Sequence, residues 1–185
     1  MKKAIDLAGH KDWTLFLDRD GVINRRIPEG YIQRPEQLEF LPGVLEALAI
    51  LAPLFMRVII VTNQQGIGRG LMTSGDLEDI HTSMMEEISR AGGRIDQIYF
   101  SPDLNNTGSF TRKPAVGMAL KARKDFPDIR FQRSIMAGDT FSDMLFGKRA
   151  GMINVLITTD PMEIRVCSGL PNHVFPDLMS FAKSL

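Results

Sequence analysis

A chain of 185 residues is long enough to bury a full core and most simply forms one domain. Its 22 Lys and Arg balance its 22 Asp and Glu, so no net field favours a nucleic acid, and the single cysteine, Cys167, excludes an intramolecular disulfide and a cysteine-built zinc site. The most apolar window, residues 44–55, is too short to cross a bilayer, and although Lys2 and Lys3 stand at the N-terminus, Asp6, His10, Lys11 and Asp12 interrupt any signal-peptide core, so a cytoplasmic location without membrane partners is expected.

Residues 1–12 read as a polar lead-in and 13–185 as a single domain. The apolar run 13–17 predicts a buried strand, which ends abruptly in Asp18-Arg19-Asp20-Gly21. Residues 22–41 show no helical period and carry Pro28, Gly30 and Pro35, which suggests a functional flap rather than a plain connection. Pro42-Gly43 opens a helix with Val44, Leu45, Leu48, Ala49 and Ala52 inward and Pro53 at its end.

A β-branched run, 57–62, predicts a second buried strand, followed by the polar, glycine-rich stretch 63–70. Thr73 and Asp76 form a capping-box pattern before a helix whose buried face is Leu77, Ile80, Met84 and Ile88. A third strand is predicted over 95–100 and a loop over 101–111. Lys113-Pro114 then begins a helix, with Pro114 in its first turn and Ala115, Met118, Ala119, Ala122 and Phe126 inward. Strands over 134–138 and 152–157 flank a short helix at 142–150, and 175–185 reads as a final amphipathic helix.

This alternation predicts an α/β fold, a doubly wound, mostly parallel sheet with helices on both faces and no large cap. In such a sheet the polar signatures after the first, second and fourth strands lie along one edge and can converge. Asp18 at a strand end can attack phosphorus, and Asp20 can serve as acid and base if its pKa is raised by burial or its like-charged neighbour. The pair reads equally well as a solvated turn. Thr62 and Asn63 could bond phosphate oxygens, though Thr62 alone reads better as an ordinary strand-end residue. Lys113 beside Arg112 suits an anion, and alone reads better as a solvated basic pair. Asp139 can bind a cation with Asp143 behind it, or can cap a helix.

Together, Asp-x-Asp-Gly, Thr62, Lys113 and Gly138-Asp139-x-x-x-Asp143 resemble the four motifs of the haloacid dehalogenase (HAD) superfamily of phosphohydrolases. Residues 16–24, Gly30-Tyr31, 61–70 and Arg112-Lys113-Pro114 resemble its histidinol-phosphate and heptose bisphosphate phosphatase subgroup. That resemblance implies Asp18 as nucleophile, Asp20 as acid/base, and Thr62, Asn63 and Lys113 on phosphate. It implies Mg²⁺ on Asp18, Asp20 (through its carbonyl) and Asp139, with Arg69 and Arg112 as substrate contacts. Members commonly hold a structural zinc in the loop before Arg-Lys-Pro. Residues 101–111 contain no Cys or His, so no zinc is expected.

The expected activity is Mg²⁺-dependent hydrolysis of a small phosphorylated metabolite, a heptose bisphosphate ahead of histidinol phosphate. Arginine forks suit a second phosphate and repel a cationic amine. A nucleic-acid 3′-phosphatase is the same-fold rival, disfavoured by zero net charge. A phosphate-accepting signalling receiver is the rival from another class, disfavoured by Asp20, for which a receiver has no use. The sequence leaves the oligomeric state open.

Overall fold

The structure, a computed structural model, describes residues 11–28, 30–105 and 107–185. Ten residues of the expected lead-in therefore lie outside the described residues. The sheet has six parallel strands in the order β3-β2-β1-β4-β5-β6: β1 Thr14–Leu17, β2 Arg57–Asn63, β3 Gln97–Ser101, β4 Ser134–Gly138, β5 Ile153–Ile157 and β6 His173–Phe175. The chain winds outward from β1 to β3 and then returns to lay β4 against the other side of β1. That reversal opens a crevice at the carboxyl ends of β1, β2 and β4, where doubly wound sheets bind ligands.

Strand pleating divides the core between two faces. Leu15 and Leu17 of β1, with Val58 and Ile60, pack under α1 (Val44–Leu51), α3 (Ser74–Arg90) and α7 (Leu178–Ala182). Phe16, Ile59, Val61 and Met136 pack on the opposite face under α4 (Gly117–Asp125) and α5 (Phe141–Ala150), contributing Met118, Ala119, Ala122 and Phe146. All of these strand residues are fully buried, consistent with a parallel sheet covered on both sides. The α3 prediction holds in detail: Thr73 caps it, its N–H donates the reciprocal bond to the Asp76 carboxylate, and Leu77, Ile80, Met84 and Ile88 are buried.

Several elements differ from the sequence expectation. The buried face of α1 is Val44, Ala47, Leu48 and Leu51, so Ala49 turns partly outward. The glycine-rich stretch contains a single helical turn, α2 (Gln65–Gly68). The α4 helix begins three residues beyond Pro114, because the bonds Ala115 N–H to Arg112 O and Gly117 N–H to Phe110 O first fold the chain into a turn. Two short elements, α6 (Pro161–Val166) and β6, precede a final helix shorter than expected, since Asp177 rather than an earlier residue caps it.

The flap is anchored at both ends. Ile23 and Asn24 are fully buried, Asn24 bridges to Phe40, and Ile32 packs with Met72, Leu77 and Ile80 of the α3 region. Among its described residues the only helical element is the 3-10 turn Pro35–Gln37, so no large cap covers the crevice from this side. Among the described residues, no helix is long and apolar enough to cross a membrane.

Candidate active site

Asp18 continues the β1–β4 pairing by one residue, its N–H bonded to Ala137 O at 2.9 Å. Its Oδ1 accepts the Arg19 N–H at 2.7 Å and lies 2.8 Å from the Lys113 ammonium, whereas Oδ2 has no partner among the described residues. Lys113 Nζ also lies 2.6 Å from Asp143 Oδ1 and donates to Val61 O at 2.8 Å. One buried cation thus joins two buried carboxylates and a strand end. Burial first, then the Asp143 charge, pushes the Asp18 carboxyl up to about 6 against the opposing pull of Lys113.

The Asn63 carboxamide is engaged with Lys113 itself: Oδ1 accepts the Lys113 N–H at 2.9 Å and Nδ2 donates to the Lys113 carbonyl at 3.2 Å. This two-point clamp ties the end of β2 to the lysine. Lys113 therefore does not sit solvated at a helix N-terminus; it is buried under the strand ends, 3 % exposed.

Asp20 departs from expectation. Burial acts to raise its pKa, but the Arg19 charge and hydrogen bonds from Asn24, Arg19 and Gln64 outweigh burial and hold the carboxyl below its ordinary value. Arg19 Nη2 lies 3.0 Å from both carboxylate oxygens, Asn24 Nδ2 donates at 2.9 Å and Gln64 Nε2 at 2.8 Å. Gln64 also donates to Thr62 Oγ1 at 2.8 Å, so the Thr62 hydroxyl oxygen is tied into the Asp20 network. Behind it, the fully buried Arg19 guanidinium meets His81 Nε2 of α3 at 3.1 Å. Burial and the Arg19 charge press the His81 pKa down to about 3, so the ring is neutral and accepts from Arg19.

Asp139 follows β4, and one of its oxygens lies with one oxygen each of Asp18 and Asp143 within 4.8 Å of one another. Burial, followed by the Asp18 and Asp143 charges, raises the Asp139 pKa well above the ordinary carboxylate range. Thr140, not Asp139, caps α5, and its N–H donates to Asp143 Oδ2 at 3.0 Å. Two glycines permit this crowding. A Cβ at Gly21, where φ is +99°, would lie 2.0 Å from Asp139 Oδ2, and one at Gly138 would lie 2.3 Å from Asp143 Cβ.

The flap contributes a cation. Arg26 Nη2 donates to the Asp20 carbonyl at 3.0 Å and to the two Asp139 oxygens at 3.1 and 3.0 Å. Asp18, Asp20 and Arg26 line a cleft of about 550 Å³ that Tyr31, Arg69 and Arg112 also line. The Arg69 guanidinium lies 5.8 Å over the Tyr31 ring. The structure thus brings together all the residues singled out in the sequence: Asp18, Asp20, Thr62, Asn63, Lys113, Asp139 and Asp143, with Arg69 and Arg112 at the rim. Arg19, Gln64, His81 and Arg26 were not anticipated. Gln64 had a signal in its place directly after Thr62-Asn63; His81 had none beyond one polar position on an otherwise apolar helix face.

A strand-end carboxylate beside a buried lysine, facing a second acidic group across a doubly wound sheet, defines the class as HAD-like hydrolases, and residues 110–180 match the HAD-hydrolase-like family model. A D-glycero-α-D-manno-heptose-1,7-bisphosphate 7-phosphatase of Burkholderia mallei is 38 % identical over 181 residues, covering 91 % of this chain and 94 % of the relative. A D-glycero-β-D-manno-heptose-1,7-bisphosphate 7-phosphatase of Helicobacter pylori is 38 % identical over 152 residues, 81 % of this chain and 86 % of that one. The crystal structure of a D,D-heptose 1,7-bisphosphate phosphatase from B. bronchiseptica, complexed with magnesium and phosphate, superposes with a TM-score of 0.83 at 30 % identity, covering 92 % of this chain and 96 % of that one. The chain belongs to the heptose bisphosphate phosphatase family of HAD-like hydrolases, and it is a phosphatase.

Proposed function

We propose that this phosphatase removes one phosphate from a sugar bisphosphate, with D-glycero-D-manno-heptose 1,7-bisphosphate as the first candidate. The observation carrying this reading is the asymmetry of Asp18: Oδ1 is held by Lys113 and the Arg19 N–H, and Oδ2 is left free beside the cleft. Asp18 Oδ2 attacks phosphorus, the ester P–O bond breaks, and the leaving sugar oxygen takes a proton from Asp20. Water then attacks the aspartyl-phosphate, gives its proton to Asp20, and inorganic phosphate leaves Asp18 as a carboxylate. Because Arg19, Asn24 and Gln64 hold Asp20 ionised, the carboxyl must first turn away from Arg19 and take a proton from solvent, which it then delivers to the leaving oxygen.

Lys113 balances the charge that builds on the transferred group and fixes the nucleophile. The Thr62 hydroxyl and the strand-end backbone beside it receive phosphate oxygens, while Asn63 keeps Lys113 in register. Asp18, the Asp20 carbonyl and Asp139 would hold Mg²⁺, with Asp143 behind them. The donor set is all oxygen, as a hard divalent cation requires, and the Arg26 guanidinium against Asp20 O and Asp139 marks a place that accepts positive charge. When bound, such an ion neutralises phosphate charge and aligns the group for in-line transfer. No zinc is proposed, because residues 101–111 offer neither Cys nor His. Arg69 and Arg112 are assigned to the second phosphate of the substrate.

The test is phosphate release across a panel containing both anomers of heptose 1,7-bisphosphate, heptose 7-phosphate, histidinol phosphate and a 3′-phosphorylated oligonucleotide, with Mg²⁺ and with chelator. The bisphosphates should show the highest kcat/KM, chelation should stop release, and Asp18→Asn should abolish it while the circular dichroism spectrum is retained. A higher kcat/KM for histidinol phosphate than for every sugar phosphate would overturn the substrate. An active Asp18→Asn variant would overturn the covalent route.

A further inference from the structure

The segment from Ser101 to Lys113 has fixed ends and, among its described residues, little apolar packing between them. Ser101 is fully buried opposite Asn63 in the β2–β3 register, and Lys113 is buried against Asp18. Between them the large apolar side chains are Leu104, 38 % exposed, and Phe110, 62 % exposed. Hydrophobic packing does not set the shape of this loop.

A single carboxylate oxygen does so instead. Asp103 Oδ2 accepts Ser101 Oγ at 3.1 Å and Thr111 Oγ1 at 2.7 Å, and also accepts Ser109 Oγ. Ser109 Oγ in turn accepts the N–H groups of Thr111 at 3.1 Å and Arg112 at 3.3 Å. The outgoing limb of the loop is thereby joined to the returning one immediately before Arg112. Hydrogen bonds from Ser109 and Thr111 hold the Asp103 carboxyl below its ordinary pKa, so the acceptor stays ionised at neutral pH. The main chain of the same residue orients the arginine: Arg112 Nη1 donates to the Asp103 carbonyl at 3.0 Å. Nε reaches Asn105 Oδ1 at 3.4 Å, and Nη2 has no partner among the described residues.

We infer that Asp103 is a positioning residue for substrate specificity, its carboxylate closing the loop and its carbonyl aiming Arg112 at the second phosphate of the substrate. This rests on the assignment of Arg112 to that phosphate. An untethered arginine would lose side-chain rotamer freedom on every binding event, whereas one already fixed along Nη1 and Nε offers Nη2 in place.

The experiment compares Asp103→Ala, Arg112→Ala and the double variant on heptose 1,7-bisphosphate and on heptose 7-phosphate, which lacks the second phosphate. Asp103→Ala should raise KM for the bisphosphate by about tenfold, leave KM for the monophosphate unchanged, and leave kcat unchanged for both, the mark of lost ground-state binding. The double variant should be no worse than Arg112→Ala, because Asp103 acts through Arg112. Ser109→Ala, which removes one of the three hydroxyls on Asp103, should give a smaller rise of the same kind and keeps the test available if Asp103→Ala folds poorly. Equal effects on the two substrates, a fall in kcat for both, or additive losses in the double variant would overturn the inference. A large effect of Arg112→Ala with none from Asp103→Ala or Ser109→Ala would overturn it alone and leave the substrate assignment standing. No effect of Arg112→Ala on the bisphosphate would overturn both.

Discussion

Arg26 Nη2 lies 3.0 Å from Asp139 Oδ2 and 3.0 Å from the Asp20 carbonyl, so a flap residue rests its charge on two of the three groups proposed to hold Mg²⁺. The guanidinium and the ion compete for the same oxygens. Arg26→Gln should therefore tighten Mg²⁺ binding about fivefold in a calorimetric titration, the ~1 kcal/mol appropriate to a half-exposed ion pair. The metal-free variant should melt at a lower temperature than the metal-free wild type, since Asp139 loses its partner. Unchanged or weaker Mg²⁺ affinity would show that the arginine does not compete.

Lys113 is the charge that lets Asp18 and Asp143 be buried together, at 2.8 and 2.6 Å. Lys113→Met removes it and leaves two uncompensated carboxylates. Urea unfolding in chelator should show a loss of about 3–5 kcal/mol. Adding Asp143→Asn to the variant should restore part of that stability, because one of the stranded charges is gone. A stability within ~1 kcal/mol of wild type would mean that water or relaxation, rather than Lys113, compensates the pair.

His81 gives the fold a defined acid lability. Its pKa in the folded protein is about 3, below the ordinary value of 6.5 that the unfolded chain shows. The unfolded state binds the proton first, so the stabilising contribution is complete above pH 6.5 and is lost as pH falls towards 3. Relative to His81→Gln, wild type should lose about 1.4 kcal/mol of unfolding free energy per pH unit below 6.5. Parallel pH profiles for the two proteins between pH 7 and 4.5 would refute a neutral, buried His81.

At Gly21 the backbone φ is +99° and a Cβ would lie 2.0 Å from Asp139 Oδ2. Gly21→Ala combines a strained conformation with a direct clash on the carboxylate. Thermal melts should show a loss of about 1–3 kcal/mol, and Mg²⁺ titration should show weaker binding as Asp139 is displaced. A variant with wild-type affinity would place Asp139 outside the metal site.

The first five strands were legible in the sequence because each is a short apolar run, three of them ending in a polar signature; β6, only three residues long, was not. Asp18, Asp139 and Asp143 were legible because they follow a strand end, and Lys113 because it forms a basic pair with Arg112 directly before Pro114. The direction of the Asp20 shift was not, because it depends on Arg19, Asn24 and Gln64 turning towards one carboxylate, and no spacing announces where a side chain will turn. The true start of α4 was hidden by a proline, which suits a helix's first turn and equally the tight turn found here. His81 and Arg26 carry no local pattern. Their roles come from α3 and the flap packing against the strand ends.

The pairing of Thr14 with Ser134 along β1 and β4 bears on how the molecule is made. Asp18 emerges early in synthesis, but the strand that completes its surroundings, and Asp139 after it, follow more than half a chain later. Parallel strands cannot be joined by a hairpin, and closing so long a loop delays the reward of pairing. The first hundred residues can therefore form β1, β2 and β3 with one flank of β1 unpaired, an edge open to other chains until β4 arrives. Premature termination anywhere before Ser134 should yield a product that aggregates, not a weakened enzyme.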